Sequence, residues 1–143
     1  MAQQIGAADL GIDLQADGDA ALFKWLVASV LMGKRIQARI AVQAYQVIVD
    51  KHALDTPRKL AQRSHRELVS MLGEARYSRY DESTARRLSA LAHRLNVEYD
   101  GKVTTVHARS HDLAEFKQRL QAFDGIGPKT VEIFMRDAAA VLP

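Results

Sequence analysis

Between Ala20 and Met32 nearly every side chain is apolar, Phe23, Trp25, Leu26, Val30 and Leu31 included, and only Lys24 and Ser29 break the run. A helix that is apolar on most faces is buried on most faces. Asp19–Met32 therefore predicts a central core helix, ended by Gly33. Downstream, the apolar positions narrow to single stripes. Ile36, Ile40, Ala44, Val47 and Ile48 predict a helix over about 35–51. Thr56 and Pro57 open a short one, as cap and first helical residue. Ser64 and Glu67 form a capping-box pattern for a helix stopping at Gly73. Acids at Asp81 and Glu82 begin a longer helix that packs through Ala85, Leu88, Leu91 and Leu95.

"YDGK" then marks a turn, and Val103–Val106 reads as a short extended stretch. Leu113, Phe116, Leu120 and Phe123 return to helical spacing, and a last helix runs from Pro128 to about Val141 with Val131, Phe134 and Ala138 inward. The expected fold is all-α: an orthogonal multi-helical domain of about seven helices spanning residues 18–143. Residues 1–17 hold no steady period and form an N-terminal arm that either packs or frays.

The most informative interruption is "LQAFDGIGPKTVEIFMRD", residues 120–137. Gly125 and Gly127 permit a tight reversal, and Pro128 suits a first helical position because its missing N–H would be unpaired there anyway. Gly127 becomes the cap residue. The amides of Gly127, Lys129 and Thr130 are then free at the positive end of a helix, where an anion binds. Apolar flanks in phase with the turn make this the pattern of a helix–hairpin–helix, which grips a DNA backbone without reading bases. The bland alternative is a purely structural turn between two helices.

Charge bears on that choice. Residues 34–94 hold thirteen lysines and arginines against six acids, while the segments on either side are net acidic. A basic middle suits a phosphate-rich partner, although a solvated helical surface would look the same. The chain has no cysteine, which excludes disulfides and Cys-ligated zinc or iron–sulfur clusters. The longest apolar run is too short for a bilayer span, and no basic N-terminal signal is visible. The expectation is a soluble, cytoplasmic protein. The five histidines show no metal spacing beyond loosely placed His107 and His111, and read as surface residues.

Here the chain resembles the endonuclease III-type DNA glycosylases of the helix–hairpin–helix GPD superfamily. "FKWLVASVLMGKRIQARIAVQAYQVIV" resembles that family's opening helix pair, "ELVSMLGEARYSRYDESTARRLSALAHRL" its passage through an aromatic turn into a long helix, and "FKQRLQAFDGIGPKTVEIFM" the hairpin itself. The likeness covers roughly residues 20–136, and is specific at the hairpin and loose elsewhere. It implies a DNA glycosylase or abasic-site lyase of base-excision repair, acting on double-stranded DNA.

By that resemblance Lys129 is the nucleophile that attacks C1′ of the damaged nucleotide. Such a lysine must be unprotonated to attack; otherwise it pairs with phosphate as a point charge. Gly125, Ile126, Gly127, Lys129 and Thr130 would hold the backbone. Lys34 and Arg35 fall where the family fills the space of an extruded base. Tyr77, Arg79 and Tyr80 fall where it inserts a wedge; the alternative for both sets is ordinary exposed charge with half-buried tyrosine. The carbonyls of Gln121, Phe123 and Ile126 match a monovalent-cation site, and no iron–sulfur cluster is expected. The chain departs from the family in ending 14 residues after Lys129, before the segment that carries the catalytic aspartate. Asp137 lies eight positions further along the same helix, about 12 Å away. Either the chain is a minimal member of that family, or a second subunit or protein partner completes the cleft. The alternatives are a non-catalytic DNA-binding or accessory module with this fold, and a helical protein-interaction domain.

Overall fold

A computed structural model describes residues 4–16 and 18–142. Residues 1–3, Asp17 and Pro143, which the expected arm and domain limits include, lie outside the described residues. Eight α-helices are present among those described: α1 Gly18–Met32, α2 Ala38–Tyr45, α3 Pro57–Ala61, α4 His65–Glu74, α5 Asp81–Glu98, α6 Val103–Ala108, α7 Leu113–Gln121 and α8 Pro128–Ala138. There is no strand among the described residues. No helix among them is long and apolar enough to cross a membrane.

Helix α1 is the axle. Ala21, Leu22, Phe23 and every residue from Trp25 to Leu31 are buried, and α2, α5, α6 and α8 pack around it. Its polar atoms are satisfied within the core. Ser29 Oγ donates to the Trp25 carbonyl (2.8 Å), and Trp25 Nε1 donates to the Phe134 carbonyl of α8 (2.9 Å). Tyr77 Oη donates to the Leu31 carbonyl (2.9 Å), pairing one of the acceptors that the end of α1 leaves over. Buried polar groups that find such partners lock one packing arrangement.

The start signals act as expected. Thr56 accepts from the Lys59 amide (3.2 Å), and Ser64 and Glu67 exchange their reciprocal bonds (3.1 and 3.0 Å). Asp112 caps α7 by accepting from the Glu115 amide (2.9 Å). The stripe over 35–51 divides: α2 runs on into a π-helical turn, Gln46–Lys51, where the His52 amide reaches back five residues to the Val47 carbonyl (3.0 Å).

Val103–Val106 is helical, not extended, which corrects the expectation and raises the count from about seven to eight. The cause is tertiary. Val103 and Val106, three apart, are both buried. The Asp19 carboxylate of α1 accepts from the Thr104 amide (3.0 Å) and hydroxyl (2.8 Å), capping α6 from another helix. That outweighs the extended preference of two valines and two threonines.

Of the N-terminal segment, Ala7 and Ile12 are buried, and the Ala7 amide donates to Asp137 Oδ2 of α8 (2.6 Å).

Candidate nucleic-acid interface

Helix α7 passes into α8 through residues 122–127. Gly125 takes a left-handed conformation, φ 83°, which a side chain would oppose. Gly127 is the extended cap residue and Pro128 the first residue of α8. Phe123 and Ile126 are buried and anchor the turn, and the Ile126 amide donates to the Phe123 carbonyl (3.2 Å). The amides of Gly127, Lys129 and Thr130 donate to no protein acceptor among the described residues. Thr130, however, is only 4% exposed, so the open part of this seat belongs to Gly127 and Lys129.

The turn borders a groove of about 520 Å³. Its opposite walls come from the end of α1 (Val30, Gly33, Lys34) and from Arg87 of α5. Two close approaches set these walls. A Cβ on Gly33 would stand 2.3 Å from Thr130 Oγ1, so glycine is what lets α1 meet the start of α8. A Cβ on Gly125 would stand 2.1 Å from Arg87 Cδ, so the arginine stem lies directly against the turn. One heptad on, Arg94 donates to the Ala122 carbonyl (2.7 Å) and its guanidinium lies 4.8 Å from the centre of the Phe123 ring. Helix α5 thus braces the turn with two arginines on one face.

The groove is electrostatically uncompensated. Lys34, Arg87 and Lys129 line it with one acid, Asp124. None of the four enters an ion pair among the described residues, whereas Arg63, Arg94 and Arg119 do. Arg87 Nη1 is buried without a hydrogen-bond partner. Burial and, secondarily, the positive charge of Arg87 hold the Lys34 amine below the usual lysine range.

The structure brings two separately expected regions together. Lys34 Nζ lies 5.7 Å and the Arg79 guanidinium 5.3 Å from the centre of the Tyr80 ring, a cation–π arrangement beside the groove. Arg35 is exposed nearby in sequence and has no ion-pair partner among the described residues. Tyr77 does not fit the wedge expectation: it is fully buried and its hydroxyl is committed to Leu31. Asp137 is likewise committed, to the Ala7 amide. His107 is half-buried and edge-on to Phe116 at 5.3 Å. Of the three carbonyls proposed for a cation, that of Phe123 accepts the Ile126 amide, while those of Gln121 and Ile126 accept no bond from the described residues.

Arg87 was missed from sequence, yet it left a signal. It lies three residues after Thr84 and four before Leu91, both buried, so it is a cation on the edge of a buried stripe.

What the fold defines here is an all-helical protein. No protein-family model matches the chain, and no curated protein shows significant similarity to it.

Proposed function

We propose that the chain binds double-stranded DNA by its phosphate backbone, with residues 120–137 acting as a helix–hairpin–helix. The observation that carries this is the conjunction at one turn of Gly127 and Lys129 amides that meet no acceptor, and of Lys34, Arg87 and Lys129 side chains that enter no ion pair, among the described residues. Oriented amides at a helix start and uncompensated positive charge favour the same ligand, a phosphate. Tyr80, flanked by Lys34 and Arg79, offers a ring for an unstacked base beside the held strand.

As a relative of the endonuclease III-type glycosylases, the protein would act in base-excision repair, with exposed Lys129 attacking C1′ as glycosylase or abasic-site lyase. A second reading, the non-catalytic DNA-binding module, draws support from Asp137, whose carboxylate holds the N-terminal segment and is not turned to Lys129 chemistry. On the catalytic reading, a carboxylate from a second chain would be needed for full activity.

Duplex binding measured against salt tests the first part. Affinity should fall steeply with salt, and Lys129→Ala should reduce the slope of log Kd against log salt by about one. Borohydride trapping on abasic-site DNA divides the two readings. A covalent adduct from the wild type that Lys129→Ala abolishes supports the lyase; binding without an adduct supports the module.

A further inference from the structure

We infer that the groove beneath the α7–α8 turn is a seat for a strand-terminal phosphate, so that nicked or gapped DNA carrying a phosphomonoester is the preferred partner; this rests on the DNA-backbone reading above.

Three basic residues from three different parts of the chain line the groove: Lys34 after α1, Arg87 from α5 and Lys129 from α8, with Asp124 the acid among the lining residues. The formal charge of these four is two positive. An internal phosphodiester brings one negative charge and two free oxygens. A terminal phosphomonoester brings about 1.5 to 2 negative charges near neutral pH and three acceptor oxygens. The number of approaching donors and the excess of charge both match the monoester.

The cost the fold accepts points the same way. A buried guanidinium nitrogen with no acceptor is unfavourable, and Arg87 Nη1 is one. Burial and, after it, the charge of Arg87 already disfavour the Lys34 amine as a cation. A phosphate among Lys34, Arg87 and Lys129 would relieve the repulsion. Gly125 is what keeps Arg87 at the turn, since any Cβ there would displace the arginine stem.

The test uses the intact chain and four fluorescent duplexes of one sequence in low salt: uninterrupted, nicked with a hydroxyl on both sides, nicked with a single 5′ phosphate, and nicked with a single 3′ phosphate. One phosphorylated nick should bind about fivefold tighter than the hydroxyl nick, the gain of one added charge-assisted contact. That preference should vanish in Lys34→Gln and in Arg87→Gln, while binding of the uninterrupted duplex weakens less. It should also shrink below about pH 6, where the monoester dianion takes up a proton and becomes a monoanion. Lys34→Gln removes no core contact and keeps the test valid if Arg87→Gln proves poorly folded. Equal affinity for phosphorylated and hydroxyl nicks, with duplex binding retained, overturns the terminal seat alone. Absence of binding to every duplex overturns backbone binding as well.

Discussion

The stem of Arg87 occupies the space that a side chain at residue 125 would need: a Cβ on Gly125 would fall 2.1 Å from Arg87 Cδ and 2.5 Å from Cγ. Gly125 also sits at φ 83°. Gly125→Ala should therefore cost on the order of 2 kcal/mol, from left-handed backbone strain and the displaced arginine together. In urea unfolding, the Arg87→Ala/Gly125→Ala double variant should lose less than the sum of the two single losses. Strict additivity would mean that the two residues do not meet.

A second close approach yields a parallel expectation at the other wall. Gly33→Ala should destabilise by about 1–3 kcal/mol, because its Cβ would press on Thr130 Oγ1 at 2.3 Å. Thr130→Ala removes that oxygen, so the double variant should recover part of the loss. Thermal unfolding of the four proteins reads the coupling directly.

Helix α6 depends on a residue far away in sequence. Asp19→Ala leaves the Thr104 amide and hydroxyl without their acceptor, and should cost about 1–2 kcal/mol. Hydrogen exchange should speed up first at residues 104–106. Unchanged exchange there would show that α6 stands without the cap.

The pH dependence of α4 follows from its capping box. The Ser64 amide, and after it Arg63, holds the Glu67 carboxyl below its ordinary 4.5. A carboxyl lowered in the folded state adds stability that is present above 4.5 and is lost as pH falls through the lower folded value. Replacing Glu67 by Gln removes that dependence. The difference in Tm between wild type and variant should therefore narrow as pH drops from about 6 to 3; a constant difference would contradict the linkage.

Local chemistry was legible in the sequence where one residue type answers one backbone need. Gly127 and Pro128 announced the start of α8, Ser64 and Glu67 that of α4, and the nearly continuous apolar run announced α1. What stayed hidden depends on partners distant along the chain. Val103–Val106 prefers an extended state by itself and is helical because of Asp19, 85 residues away from Thr104. Tyr77 reads as a turn aromatic in the wedge position until its hydroxyl is seen on the Leu31 carbonyl. In the groove, Lys34 and Lys129 were nameable from their neighbours in sequence, but Arg87 gains its place only when α5 packs under Gly125.

The central claim is that a DNA phosphate rests on the peptide nitrogens at the start of α8. An amide-resolved NMR titration of the labelled protein with a short duplex tests it most directly. Saturable shifts should concentrate at Gly127 and Lys129 and at the Arg87 side chain, fade as salt rises, and leave α3 unmoved. Shifts confined to other helices, or none at Gly127 and Lys129 while the duplex binds, would contradict it.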